Sequence, residues 1–586
     1  MLGRLIGALF RRSGGDALHD AFDERATARL KTALALAGEG RHADAERIYR
    51  ELLDRYPGHA DLLHLAGNAA LAQARYAEAV QLLASARESR PAAPELNLHL
   101  GQAYAALGNV DLAQRSYERA LGANPDFLPA HFNLGRLHQH AGRYEEAAQS
   151  YRRALELAPE NSDIHIVYAE VLRELGDYEA ALSAARRALE LAPESPDAHV
   201  QCGHALRELG RGLEAIPEYR HAVALRPDVA HAHLHLGNAL FLDAHDFAAA
   251  AAEYRRMLEL EPASSEARFN LALMRIASGD YANGWPDYEL RRLDPRWKRR
   301  LFEYPQWQGG ELAGRRLLVY SEQGIGDEIM FASCVPDLIE RGASCIIECL
   351  PKLEGLLRRS FPAAEVYPVR PDSSVPARLH AAGIDAETPI GSLPLYFRRS
   401  GADFPQHGGY LKADPVRVEQ WRERLATLGS GLKVGLAWQG GTQQSRRVAR
   451  SLELARLAPL LKVPGCSFVE LQYVDCADEI HALEAASGVQ IASWELIRRD
   501  YEETAALVSA LDLVISVCTA VIHLGGALGR PVWVMVPHGC EWRYGESGGG
   551  MPWYPSVRLV RQDRIGDWGG VIEKVADSLR EKVLNP

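Results

Sequence analysis

Apolar and polar positions keep two different rhythms along the 586 residues of this chain, and the change between them marks its organisation. In the first half, small and apolar residues recur in helical patterns punctuated by Pro57, Pro91, Pro125, Pro159, Pro193 and Pro227, each 34 residues after the last, with Pro262 35 residues further on. Gly67, Gly101, Gly135, Gly203 and Gly237 keep the same beat, as expected where two helices approach closely. Ala79, Ala113, Ala147, Ala181 and Ala215 recur in the second helix, where a larger side chain would clash, and Tyr117, Tyr151 and Tyr219 fill the matching large position. The pattern predicts helical hairpins that cannot bury their apolar faces alone and do so by stacking. Seven units fit between residues 26 and 264, and a partial eighth begins near 265. The extra residue of the seventh is expected in its interhelix turn, near Asp243 to Asp246.

The beat stops after Tyr281. Residues 281–314, with Trp285, Trp297 and Trp307, show little periodicity and are expected to form a connector packed on both sides. From Arg315 short apolar runs alternate with helical stretches. RLLVY, SCIIEC, AEVYPV, KVGLAW, SFVELQ, VQIAS, LDLVISV and PVWVMV predict strands, and 327–341, 352–359, 453–461, 501–510 and 520–528 predict helices. Such alternation implies parallel sheets covered by helices. The expected fold is an α-helical solenoid over 26–280, behind a lead of 25 residues, followed by an α/β region. That region divides into two Rossmann-like halves, 315–431 and 432–586, the second closed by a helix over 570–583.

Composition narrows the function classes. Apolar content of 47% and charged content of 24% are those of ordinary globular protein. The net charge of -11 argues against a nucleic-acid grip. No apolar run reaches the roughly 18 residues that would span a bilayer. The opening MLGRLIGALFRRSGG is a short amphipathic lead that could touch a membrane surface, without the cleavage site of a secretory signal. The eight cysteines, Cys202, Cys334, Cys345, Cys349, Cys466, Cys476, Cys518 and Cys540, form no CxxC pair. No zinc is expected, and scattered thiols fit a cytoplasmic location.

A 34-residue helical-hairpin period is that of the tetratricopeptide repeat. One face of the first helices carries His99 and Gln102, Asn133 and Arg136, Gln201 and His204, His235 and Asn238, and Asn270. This polar ladder predicts a groove for an extended polypeptide, because solenoid concavities are usually binding surfaces. A solvated helix face is the plainer alternative. His131, His165, His199 and His233 also recur every 34 residues and are expected to pack between helices rather than bind metal.

In parallel sheets, ligands bind beyond the carboxyl ends of the strands. Three loops meet that rule. EQGIGD places Gly324 and Gly326 where the chain turns sharply, with Asp327 opening a helix, either as a simple N-cap or as a carboxylate presented to a ligand. The spacing is not GxGxxG and makes no case for a dinucleotide. The loop from Val434 to Leu452 is Gly-rich and carries Arg446, Arg447 and Arg450, whose forks suit phosphate. In SVCTAVIHLGGALG a strand runs into Cys518, Thr519 and Ala520, with His523 one turn into the next helix. A helix N-terminus with a Thr hydroxyl is a natural phosphate seat.

Together, EQGIGDEIMFASCVPDL, the GLAW…RSL loop, Leu471-Gln472, TAVIHLGGALGRPVWVMVP and the tail EWRYGESGGGMPWYPSVRLVRQ resemble the heptosyltransferase-like GT-B glycosyltransferases. The resemblance is to their bacterial branch fused to tetratricopeptide repeats, which includes flagellin glycosyltransferases. It implies inverting transfer of a sugar from a nucleotide-activated donor, with no metal or other cofactor. It also implies Asp327 as catalytic base. The donor-binding residues it carries over are Gln323, Gly324, Gly326, Trp438, Arg450, Ser451, Gln472, Thr519, Ala520 and His523. The acceptor would be a protein hydroxyl, flagellin being one example, held in the groove by Asn133, Arg136, Gln201, His204, His235, Asn238 and Asn270. Cys518 stands where relatives usually have Asp, and arginines precede the Arg450-Ser451 pair where many have an acidic residue. The alternatives are transfer to a glycan or lipopolysaccharide, and a scaffold with an inactive transferase region.

Overall fold

The computed structural model describes residues 22–293, 300, 302–372, 374–441, 450–538, 541–564 and 566–585. Arg446, Arg447, Cys540 and Trp297 lie outside the described residues. The chain divides into two compact units, residues 1–232 and 233–586. Sequence periodicity instead put its main boundary at residue 280. The difference arises because the last repeats pack with the α/β body.

In the first unit, helical hairpins follow one another from Glu24–Gly38 and His42–Arg55 to Pro196–Glu208 and Gly212–Leu225. Two devices explain the beat. The first is a notch. A Cβ added to Gly101, Gly135 or Gly203 would lie 2.5–2.6 Å from the ring of Tyr117, Tyr151 or Tyr219, so the missing side chain of one helix is filled by a ring of the next. In the fifth hairpin Ala169 and Ala185 hold these two positions, and both are buried. The second is a staple. His131, His165 and His199 donate a ring N–H to the carbonyls of Pro125, Pro159 and Pro193, at 2.8, 2.9 and 3.2 Å. Asn97 does the same to Pro91 at 2.9 Å. The histidine beat and the proline beat are therefore one feature, which ties each first helix to the turn before it and satisfies a carbonyl that would otherwise need water.

The second unit contains the last repeats. The seventh absorbs its extra residue in a π turn, Leu240–Ala244, ended by His245 at φ 56°, close to where the pattern placed it. The eighth is complete, because Tyr281–Tyr288 supplies its second helix and packs on Ser265–Ala277. The expected connector thus begins as a repeat helix. It is also an anchor. Trp285 donates its indole N–H to the Arg398 carbonyl at 2.7 Å. Buried Arg291 binds Glu289, Glu322 and Ser392. Trp307 is buried against Tyr396.

Eleven strands follow among the described residues: β1 (Arg316–Tyr320), β2 (Ser344–Cys349), β3 (Glu365–Pro368), β4 (Ala386–Pro389), β5 (Leu432–Ala437), β6 (Cys466–Glu470), β7 (Ile491–Ala492), β8 (Leu513–Val517), β9 (Val532–Val536), β10 (Gly550–Met551) and β11 (Tyr554–Arg561). They form a four-stranded parallel sheet, β3-β2-β1-β4, and a seven-stranded sheet, β10-β11-β9-β8-β5-β6-β7, parallel except for the β10–β11 pair. Strands buried on both faces read as continuous apolar runs, which is why β1, β2 and β8 are legible. β4, with the sequence AETP, and β11, which opens YPS, lack that run and were not expected. The predicted helix 327–341 is three pieces: Ile325–Phe331, a 3-10 turn Ala332–Cys334, and Val335–Glu340. Pro336 has no N–H to continue the ladder and forces the break. The closing helix, Trp568–Leu584, buries Trp568, Val571, Ile572, Val575 and Leu579 in the core beneath the second sheet.

Candidate functional site

The chain leaves β1 through Ser321 to Gly324 and enters the helix Ile325–Phe331, capped by Gly324 in an extended conformation. Asp327 is therefore not the N-cap. It lies in the first turn, and its carboxylate accepts from Arg543 Nε. Beyond β8, Thr519 precedes the helix Ala520–Ala527, but its hydroxyl pairs with Ser516 Oγ at 3.1 Å and caps nothing. The helix N-terminus keeps its unsatisfied first-turn character. A Cβ on Gly326 would lie 3.1 Å from His523 Cδ2 and 3.5 Å from Ala520 Cα. The two helix openings, one from each sheet, meet at that glycine.

His523 is buried and pairs through Nδ1 with Tyr554 OH at 3.2 Å. Burial pushes its pKa down to about 4, against the pull of Asp327, with Arg543 and Arg450 adding to the depression. At neutral pH it is an uncharged imidazole, suited to hydrogen bonding rather than charge neutralisation.

The loop after β5 closes the same region. Gly440 donates its N–H to Ser451 Oγ at 3.1 Å, and a Cβ there would sit 2.7 Å from the Cys518 carbonyl. Only glycine lets this loop lie against the Cys518-Thr519 corner. Tyr473 donates to the Gly441 carbonyl at 2.8 Å. Gln472, at the end of β6, is 2% exposed, and neither atom of its amide has a partner. Trp438 is corrected: its ring is fully buried in the core and its indole N–H donates to Glu479 at 2.9 Å, so it supports the loop from beneath and cannot touch a ligand. Gln323 is turned away as well, donating to Tyr288 OH at 3.1 Å on the last repeat helix.

Four charges run across the junction. Asp327 pairs with Arg543, Arg543 with Glu541 at 2.9 Å, and Glu541 with Arg450. The Arg543 guanidinium also lies 4.6 Å from the Trp542 ring centroid. Burial works against its charge, and Asp327 together with Tyr288 and Tyr544 outweighs this, so its pKa is raised. Arg543 and Glu541 were missed as site residues. Their signal was the EWRYGE stretch, which contributed to the resemblance while no role was attached to its charges. Glu328 was missed too. It is buried, accepts from Ser321 Oγ at 2.7 Å and from the Leu350 N–H at 3.0 Å, and so pins the glycine loop to the end of β2.

The repeat ladder is partly brought together. In the first unit Arg136 is exposed, Asn133 donates to the Pro129 carbonyl at 2.7 Å, Gln201 is half-buried, and His204 lies against Tyr219. His99 is corrected: it is buried and hydrogen-bonded to His64 at 2.8 Å, inside the stack rather than on a groove. In the second unit His235 is half-buried, and Asn238 accepts from Asn270 at 2.8 Å, so neighbouring rungs do share one face. Among the described residues no cluster of three or more His, Cys, Asp or Glu could hold a metal ion. None of their helices is long and apolar enough to cross a membrane.

Comparison with known proteins gives the following. The tetratricopeptide-repeat family matches residues 64–126, 98–162, 132–196, 201–243 and 240–295, and a second repeat pattern of the same description matches 36–91. The N-terminal part of the chain, to about residue 290, is a tetratricopeptide-repeat solenoid, and an α/β region follows it. Protein FlbA of Caulobacter vibrioides is 33% identical over 358 residues, covering 58% of this chain and 60% of its own. The chain thus spans about 60% of the length of that relative. Similar solved structures include MamA, 22% identical over 28% of this chain and 95% of its own, with a TM-score of 0.26. A second is the C-terminal part of a repeat-containing protein from Cytophaga hutchinsonii, 17% identical over 41% and 99%, with a TM-score of 0.35. A third is a thermophilic repeat protein of Thermus thermophilus, 26% identical over 31% and 98%, with a TM-score of 0.27.

Proposed function

We propose that this protein is a GT-B glycosyltransferase that moves a sugar from a nucleotide-activated donor to a hydroxyl of a protein recruited by its repeats. The observation that carries the proposal is the meeting at Gly326 of two helix openings, one beyond β1 with Asp327 and one beyond β8 with an uncapped N-terminus. Around them stand Arg450 and Arg543. Transfer needs opposite chemistry at the two ends of one bond. The acceptor hydroxyl loses its proton as its oxygen attacks the anomeric carbon, and in this reading Asp327 is the base that takes it. The bond from that carbon to the diphosphate breaks, and the nucleoside diphosphate leaves with the electron pair. Helix N-termini and guanidinium groups stabilise that growing negative charge. Attack from the face opposite the leaving group inverts the anomeric centre.

Arg450, Ser451, Gln472, Ala520 and His523 are the donor contacts this reading retains. Thr519 contributes its backbone and Gly326 the close approach. A protein acceptor is favoured over a glycan because tetratricopeptide stacks offer extended surfaces suited to polypeptide. Flagellin is the acceptor the sequence resemblance suggests. The test is transfer of labelled sugar from a panel of nucleotide-sugars to flagellin and to whole-cell protein, with wild type and Asp327→Asn. Labelling of a protein by the wild type and its loss in a folded variant is the expected result. Labelling only of lipid-linked glycan would replace the acceptor. Donor turnover undiminished in Asp327→Asn would remove its role as base.

A further inference from the structure

We propose that Glu541 is a built-in stand-in for the donor diphosphate. Its carboxylate fills a clamp formed by the guanidinium groups of Arg450 and Arg543, and a nucleoside diphosphate displaces it on binding. This rests on the donor-site reading above and adds an occupant that the reading does not require.

The geometry is that of an anion held between two cations. One Glu541 oxygen meets Arg450 and the other meets Arg543 Nη1. The members differ in how they face water. The arginine side chains are 14% and 16% exposed, whereas that of Glu541 is 31% exposed. Two guanidinium groups drawn this far out of water repel each other and need an anion between them. The chain itself supplies one, from a residue that can swing out. Glu541 is placed for that, since it lies in extended conformation just before the short turn Trp542–Tyr544 and outside any helix. A diphosphate carries more negative charge than a carboxylate and offers more acceptor oxygens to the same forks, so it competes well for the place.

Arg543 joins this clamp to the chemistry. Its Nη1 holds Glu541 while its Nε holds Asp327, so one side chain touches both the anion seat and the proposed base. Exchange of carboxylate for diphosphate would occur on the Nη side and leave Asp327 tethered beside the departing group. Glu541 thereby acts as an internal competitor, lowering donor affinity by the fraction of molecules whose clamp is filled.

The test is calorimetric titration of the full chain with pyrophosphate, UDP, GDP and ADP, for wild type, Glu541→Gln, Glu541→Asp and Arg543→Lys, with melting curves to confirm folding. Glu541→Gln is expected to bind pyrophosphate and the preferred nucleoside diphosphate about tenfold more tightly than wild type, about the effect of freeing one charge pair. Glu541→Asp, with the charge kept on a shorter arm, should fall between the two and serves if the glutamine variant does not fold. Arg543→Lys should bind at least tenfold more weakly. Wild-type binding of a diphosphate with equal or weaker binding by both Glu541 variants would overturn the stand-in role and leave the donor site standing. Absence of binding by wild type and variants alike would overturn both.

Discussion

His131 and Asp327 each occupy the opening of a helix and each has a defined hydrogen-bonding partner, yet their partners come from very different places. His131 bonds to a carbonyl six residues earlier, and the same bond recurs one repeat later at His165 and again at His199. Asp327 bonds to an arginine 216 residues further along, a pairing that follows no repeat. The repeats are held by short-range devices that return at the same positions, with Asn97 in place of the histidine and Ala169–Ala185 in place of the Gly–Tyr pair, so one unit explains most of the others. The α/β body brings together unlike residues from distant loops, each used once. A substitution in a repeat should therefore act locally and be compensated locally. One at the junction should act on chemistry, and should be compensated, if at all, from across the molecule.

The sharpest break is expected at Asp327. Asp327→Asn should lower donor turnover by a factor of about 100 to 10,000, the usual worth of a positioned general base, in a variant that still folds but melts somewhat lower because Arg543 loses an ion-pair partner. A loss of stability as large as the loss of turnover would make Asp327 a structural partner of Arg543 and erase the contrast with His131.

Glu328 sharpens the comparison by pH. Burial raises its pKa from 4.5 to about 7, opposed by its bonds from Ser321 and Leu350. The folded state then holds a proton that the unfolded state has released. Its contribution is most favourable below pH 4.5, declines as pH rises to about 7 and is flat beyond, a span of about 3 kcal/mol. Glu328→Gln should abolish that part of the slope, seen as the difference between urea midpoints of variant and wild type from pH 4.5 to 7.5. A parallel pair of curves would mean the carboxyl is already ionised in the fold.

In the repeats, Gly135→Ala should cost about 1–3 kcal/mol, because the new methyl meets the Tyr151 ring. Tyr151→Ala alone should cost about 3–5 kcal/mol. The double variant copies the natural Ala169–Ala185 pair of the next hairpin, so the two effects should be far from additive in denaturant titrations. Additivity would show that the notch is not one packing unit. The smallest effect belongs to the staple. His131→Ala should cost about 0.5–1.5 kcal/mol, and His131→Asn should recover most of it, since Asn97 makes the same bond to Pro91.

Legibility followed the same division. The repeat period, its alanines and glycines and the place of the extra residue could be read because each unit is built to the same pattern. The histidines were expected to pack between helices, whereas His131, His165 and His199 are half-buried and bond to the proline carbonyl of the preceding turn, a partner that spacing alone does not reveal. His99 was misassigned to the groove because its partner, His64, lies in the preceding repeat and the ladder was judged by spacing alone. In the α/β body the buried parallel strands were legible as apolar runs, while β4 and β11 were not, because one carries buried polar residues and the other alternates. The glycine loops were located, but not the direction of their side chains. Trp438 looked available at the end of a strand, and only packing shows that its ring points into the core.

The sequence by itself determined that this chain is a stack of tetratricopeptide hairpins followed by two parallel sheets, since both depend on the periodic burial of apolar groups, and period is a one-dimensional property. The tertiary structure alone decided that the last repeats belong with the sheets, that Thr519 does not cap its helix, and that Asp327, Arg543, Glu541 and Arg450 form one line of alternating charge. Charge pairs form between whichever groups the fold brings within a few ångströms, and no spacing along the chain encodes that distance.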